Sequence, residues 1–243
     1  MPQTLLNEIQ DFCERRKLPV PQTVVNSDDP QVIQLKALLY EAGNELAIRG
    51  EWSALTFEAT LTTLAQEDQG AIYDLTATGG ATAFRKMKDE TIWDRTDQLP
   101  IWPINPINWQ RLKATTAAMP RYRYRLVRQH LLFTPTPPAG HTVAFEWVSK
   151  WWIQDGTSGT IKERFTSDND TFLIERELLK LGLTWRWKKE KGFDYLEEYN
   201  DLEDRLKETL AHDVTRDVLY MDGTEPRAVP GVFVPEYNWS PHA

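Results

Sequence analysis

Apolar residues first recur at helical spacing. Leu5, Ile9 and Phe12, with Cys13, predict a helix from Thr4, and Pro19 and Pro21 are placed to end it. Asp29-Pro30 is a start signal: a carboxylate that caps a first turn, then a proline whose missing N–H is not needed there. Val32, Leu35, Leu39, Ala42 and Leu46 form the stripe of this second helix, and Gly50 closes it. The period then drops to two. Phe57, Ala59 and Leu61 alternate with Glu58, Thr60 and Thr62, the pattern of a half-buried strand. Ile72-Tyr73 and Leu75 read as a second strand, Gly79-Gly80 as a turn, and Phe84–Met87 with Thr91–Trp93 as a short hairpin. Asn105-Pro106 repeats the cap-plus-proline signal, so Ile107–Thr116 reads as a short helix within the β region. Tyr122, Tyr124 and Leu126 alternate with Arg121, Arg123 and Arg125; Leu131–Phe133 returns, and Pro135–Gly140 is a turn. Val143, Phe145 and Trp147 form a last alternating run.

Helical period resumes after Asp170. Ile174, Leu178, Leu181 and Trp185 make one stripe and Leu179, Leu183 and Trp187 a second, so this helix is buried on more than one side. Gly182 in its middle costs about 1 kcal/mol against alanine, which a close helix contact offsets. Gly192 ends it. Asp194 and Glu197 have capping-box spacing, and Tyr195, Tyr199, Leu202, Leu206 and Leu210 continue as a final helix. These readings give an α+β chain: a helical bundle from residues 1–54 and 167–213, an antiparallel β-rich insertion over 55–166 with a mobile loop at 154–166, and an extended tail over 214–243. The tail carries Pro226, Pro230, Pro235 and Pro241 among apolar residues that include Phe233, Tyr237 and Trp239, a composition that docks rather than dissolves.

Charge narrows the function. The chain has 243 residues, a formal net charge of −8 and a pI near 5.1, opposite to the basic face of a sequence-specific DNA binder. One cysteine, Cys13, leaves no internal disulfide and fits a reducing cytoplasm. Residues Met1–Arg16 do not resemble a signal peptide, and no run nears the roughly twenty apolar residues of a membrane span.

Catalytic spacing is hard to find. The four histidines, His130, His141, His212 and His242, are scattered without metal-ligand spacing, so no metal is expected. Asp168-Asn169-Asp170 resembles the start of a calcium loop, but the sixth residue is Leu173, and helix capping accounts better for these acids. Gly156–Gly159 reads as flexible linker, with neither a nucleophile elbow nor a phosphate loop. Arg121, Arg123 and Arg125 are either the solvated face of an edge strand or a contact to an acidic neighbour. Trp147, Trp151 and Trp152 suit a sugar-stacking platform, which would also need a carboxylate pair that nothing marks. Trp185 and Trp187 belong to the core, and Trp52 packs at a hinge.

Several short motifs share an order. The Asp-Pro-capped helix is followed by Trp52, then Trp93-Asp94-Arg95-Thr96 and Pro106-Ile107-Asn108-Trp109. Phe145-Glu146-Trp147-Val148-Ser149-Lys150 comes next, then Lys162-Glu163-Arg164-Phe165-Thr166-Ser167-Asp168. Leu181-Gly182-Leu183-Thr184-Trp185-Arg186 and Lys191-Gly192-Phe193-Asp194-Tyr195 close the series. From about Asp29 to Leu210 the chain resembles the head-to-tail adaptor (connector) family of tailed bacteriophages, especially short-tailed ones. The resemblance implies a virion protein at the head–tail junction, made in the bacterial cytoplasm. It implies a homo-oligomer, a dodecameric ring below the portal protein, joined to the tail nozzle or tail tube. Genomic DNA would pass through its channel without sequence-specific binding. It implies no cofactor, no active site and no membrane. Arg121, Arg123, Arg125, Trp151, Trp152, Lys162, Glu163, Arg164, Phe233, Tyr237 and Trp239 are the residues expected at subunit or portal contacts. The alternatives are a carbohydrate-active or cell-wall enzyme and a monomeric binding module.

Overall fold

The computed structural model describes residues 4–76, 83–114 and 121–213. The Gly79-Gly80 turn, the end of the helix expected to reach Thr116, and the tail with Phe233, Tyr237 and Trp239 lie outside them. In chain order the described elements are helices α1 (Leu5–Arg16) and α2 (Pro30–Arg49), strands β1 (Thr56–Thr62) and β2 (Asp68–Ala71), and a single turn α3 (Ile72–Leu75). Strands β3 (Phe84–Met87), β4 (Trp93–Asp94), β5 (Leu99–Pro100) and β6 (Trp102–Pro103) precede helix α4 (Pro106–Ala114). Then come β7 (Arg123–Val127), β8 (His130–Thr134), β9 (Thr142–Ser149), β10 (Ile153–Gln154), β11 (Ile161–Lys162) and β12 (Thr171–Phe172). Helices α5 (Arg176–Glu190) and α6 (Leu196–Asp213) complete an α+β chain. Contacts divide the described residues into a unit of residues 4–60, 70–76, 83–88 and 145–213 and a unit of residues 61–69, 89–114 and 121–144.

The first unit is mainly helical. Thr4 caps α1, and Lys17, in the left-handed region at φ 55°, ends it by donating its N–H to the carbonyls of Cys13 and Glu14. The helix therefore stops before Pro19 and Pro21, which confirm the exit without causing it. Asp29 Oδ1 accepts from the Gln31 N–H at 2.8 Å with Pro30 in the first turn of α2, as the dipeptide predicts. Leu35, Leu39, Leu46, Leu178, Leu179 and Leu183 lie in one core with Trp52, Trp152, Leu202 and Leu206. Gly182 marks a close approach of α5 to α2. A Cβ there would lie 3.0 Å from the Ala42 Cβ, so the residue's low helix propensity is offset by contact between α2 and α5. Trp187 is in the core and Trp185 packs partly buried against it.

Charged side chains tie the ends of this unit together. Glu8 is 1% exposed and accepts from Arg176 at 2.8 Å, while Arg176 also pairs with Asp11. Burial pushes the Glu8 carboxyl above its ordinary value despite the arginine. Arg186, also buried, donates to the Gly182 carbonyl, pairs with Glu45 and stacks on the Trp185 ring at 4.3 Å. Arg85 donates to the Ala47, Ile48 and Gly50 carbonyls at the open end of α2.

The second unit is built from short strands. The sheet order is β2-β8-β7-β6, with β7 and β8 antiparallel and β6 parallel to β7. Its buried side chains include Ile92, Ile101, Trp109, Tyr124, Leu131, Phe133 and Val143. Asn105 Oδ1 accepts from the Asn108 N–H, which starts α4.

Three sequence expectations change. Ile72–Leu75 is a helical turn, not a strand, because the Thr76 N–H and hydroxyl both close on the Ile72 carbonyl. Phe84–Met87 and Thr91–Trp93 form no hairpin. β3 pairs with the end of β9 through Met87↔Trp147, whereas Trp93 pairs with Pro100 and Ala144. β9 is also buried on both faces, with Val143, Ala144, Phe145, Trp147, Val148 and Ser149 all covered. It is a central strand, for which alternation is a poor guide.

Candidate interaction surface

In the second unit β7 presents alternating faces. Tyr124 points inward and is 5% exposed; burial, with the nearby charges of Asp89 and Glu90, pushes its phenol up to about 12. Arg123 and Arg125 share the other face and are half-buried. Their registered partners are Thr134 and Leu132 on β8, and Trp102 on β6 stands beside Arg123. Arg123 also lines a cleft of about 580 Å³ with Pro103, Ile104, Asn105, Asn108, Arg111 and Leu112. On the same helix as Arg111, Ile107 is 80% exposed. Residues 89–144 hold seven Lys and Arg against four Asp and Glu, in a chain of net charge −8. The cleft thus combines guanidinium groups, side-chain amides and an apolar floor, a chemistry that suits a carboxylate-bearing protein segment. Arg121 lies just before the strand and is also half-buried.

The other expected contact residues that the structure describes, Trp151, Trp152, Lys162, Glu163 and Arg164, belong to the first unit, and the structure separates them by role. Glu163 and Arg164 are exposed. Trp151 is half-buried, its N–H bonded to Ser149 Oγ at 2.9 Å. Trp152 is 1% exposed and sits in the core, where its indole donates to Asn44 Oδ1 at 2.9 Å. Gly43 makes room for it: a Cβ there would lie 2.1 Å from the ring. Trp147 is 0% exposed and stacks near Phe57 and Phe84. With these two rings interior, Trp147, Trp151 and Trp152 share no exposed face, and Trp152 packs the core of this unit.

Lys162 is likewise an internal tie. Its ammonium reaches Asp155 at 2.9 Å, Asp170 at 2.7 Å and the Thr166 hydroxyl at 2.6 Å. Burial alone would lower its pKa, but the bonds to Asp170 and Asp155 hold it above the usual lysine value. The Gly156–Gly159 stretch is a hydrogen-bonded turn rather than a linker. Asp155 Oδ1 accepts from the Thr157 and Ser158 N–H groups, and Gly159 takes φ 71° to close β10 on β11. The Ser158 N–H, Lys162 and the Thr157 N–H hold the Asp155 carboxyl well below the usual carboxylate range.

The Asp168 and Asp170 side chains cap no described helix, although their backbone carbonyls accept from the Leu6 and Leu5 N–H groups at the start of α1. Asp168 accepts from the Thr23 hydroxyl at 2.6 Å and from the Val24 and Val25 N–H groups, clamping the α1–α2 connection. Asp170 accepts from the Thr166 and Ser167 N–H groups beside Lys162. One grouping has no sequence signal beyond Asp-x-x-Asp. His141 meets Asp94 and Asp97 in the second unit, its Nδ1 lying 2.9 Å and 3.5 Å from their Oδ2 atoms.

Compared with known proteins, the chain matches no family model and no curated protein. Among the described residues no helix is long and apolar enough to cross a membrane.

Proposed function

We propose that this chain is a structural virion protein, the head-to-tail adaptor of a tailed, short-tailed bacteriophage. In this reading its copies form a ring below the portal, join the capsid to the tail and surround the DNA exit channel, without a cofactor or an active site. The N- and C-terminal helices are the bundle of the subunit, residues 55–166 its β-rich insertion and residues 214–243 its docking tail. The supporting resemblance is the ordered motif series from Asp29 to Leu210.

The observation that carries the proposal is the separation of charge. A closed ring needs two different, complementary surfaces on each subunit. The Arg123 and Arg125 face with its cleft is basic. Helix α6 is acidic, with seven Asp and Glu against two Lys and Arg, and Glu197 and Asp201 on it are exposed. Such surfaces attract across neighbouring copies, whereas the net negative chain repels passing DNA.

The test mixes the purified chain with portal protein and reads particle mass by sedimentation and shape by electron microscopy. A ring stacked on the portal is expected. Arg123→Glu with Arg125→Glu abolishes the ring while leaving circular dichroism unchanged, and truncation after Asp213 abolishes portal binding. A chain that forms no particle with portal, or a ring indifferent to the double charge reversal, refutes the proposal.

A further inference from the structure

We propose that Asp94, Asp97 and His141 form a site for one divalent transition-metal ion of the zinc class. All three residues belong to the second unit. The grouping is a nitrogen ligand flanked by two carboxylates, and its ligand atoms lie within 4.8 Å of one another. His141 Nδ1 lies 2.9 Å from Asp94 Oδ2 and 3.5 Å from Asp97 Oδ2. These separations bracket the roughly 3.3 Å between two ligands of a tetrahedral zinc ion bound at about 2.0 Å. A single N–H on that nitrogen can satisfy only one carboxylate. A cation among the three atoms satisfies both.

The backbone holds each ligand in place. Asp94 Oδ1 accepts from the Thr96 and Asp97 N–H groups, which fixes the turn and leaves Oδ2 facing the histidine. The His141 N–H donates to Thr63 Oγ1 at 3.0 Å, and the Thr63 N–H donates to the His141 carbonyl at 2.8 Å. The Thr142 N–H donates to Thr96 Oγ1 at 2.9 Å, joining the two ligand segments. Asp94 is nearly enclosed, whereas the Asp97 side chain is 43% exposed, giving an ion an entry path and room for a water ligand. Imidazole with carboxylates suits zinc or manganese better than magnesium, which prefers oxygen alone. The ion would staple the β4 turn to the start of β9.

The test titrates Zn²⁺ into full-length, chelator-stripped protein by calorimetry and follows thermal unfolding. One ion per chain and a raised melting temperature are expected, because the ion binds the folded state. Mg²⁺ at the same concentration leaves the melt unchanged. Asp97→Asn, at an exposed position, keeps the fold and weakens Zn²⁺ binding about tenfold or more. His130→Ala, which removes the separate exposed Asp68–His130 pair, leaves binding intact. Wild-type protein that gives neither heat nor a shift with Zn²⁺ overturns the proposal. So does undiminished binding by Asp97→Asn, or loss of binding in His130→Ala.

Discussion

The helical unit and the short-stranded unit obtain their order differently. In the first, long periodic helices bury Leu-rich stripes, and charged side chains such as Glu8 and Arg186 are drawn inside with partners. In the second, strands of two to five residues dominate, and turns are held by side-chain-to-backbone bonds from Asp94, Thr63 and Asn105. A helix closes its own hydrogen bonds, so its packing is free to specify position; a two-residue strand depends on neighbours for both. The contrast predicts that core truncation damages the first unit most, while loss of individual polar ties matters more in the second.

The largest effect is expected from Trp152→Ala, which empties the space beside Gly43 and strands Asn44. Denaturant unfolding followed by the helical circular-dichroism signal should show a loss of about 3–5 kcal/mol. A loss below about 1 kcal/mol would mean that this core is not organised around the indole.

The next test is alkaline. Tyr124 has its phenol pushed up to about 12 by burial and nearby acids. A raised folded pKa means that stability is intact below the unfolded tyrosine value of about 10 and is lost as pH rises toward the folded value. Melts between about pH 10 and 12 should therefore show a decline of about 2–3 kcal/mol that Tyr124→Phe removes. A variant with the same alkaline decline would place the responsible group elsewhere.

The acid side sharpens the comparison within the helical unit. Burial raises the Asp168 carboxyl, but the Thr23 hydroxyl and the Val25 and Val24 N–H groups more than offset it, so its pKa is lowered. A lowered folded pKa gives stability that is present above the unfolded carboxylate value and is lost as pH falls through the folded one. Asp168→Ala should lose about 1–2 kcal/mol at neutral pH and flatten the acid limb of the stability profile. An unchanged limb would show that the clamp on residues 23–25 is not the titrating tie.

The smallest effect belongs to an exposed pair. Lys113 with Glu67 links α4 to the residue before β2, and both side chains are more than a third exposed. Lys113→Ala should change stability by less than about 0.5 kcal/mol, vanishing in high salt. A larger loss would show that the short-stranded unit leans on surface charge.

Legibility in the sequence follows the same divide. Asp29-Pro30, the two stripes of α5 and the contact at Gly182 were readable because their causes lie within a few residues or in one periodic pattern. The strand at Phe57–Leu61 was readable for the same reason. What escaped depends on distant partners. Trp152 reads as a surface aromatic until Gly43, over a hundred residues earlier, opens a space for it. Asp168 reads as a cap until it meets Thr23, and Lys162 as a surface charge until it meets Asp155 and Asp170. Arg123 and Arg125 share one face of β7, but Arg121 precedes the strand and β7 lies between β6 and β8, so it is not the edge strand that its charges suggest; the cleft beside Arg123 depends on α4, whose placement no local pattern encodes.

The ties from Arg176 to Glu8 and Asp11, and from the Leu5 N–H to the Asp170 carbonyl, carry a consequence for birth on the ribosome. Residues 89–144 emerge from the exit tunnel before α5 does, so the short-stranded segment can mature while the two leading helices still wait for their mates. During that interval their leucine stripes are uncovered, and the cell must shield them until the carboxyl-terminal third arrives.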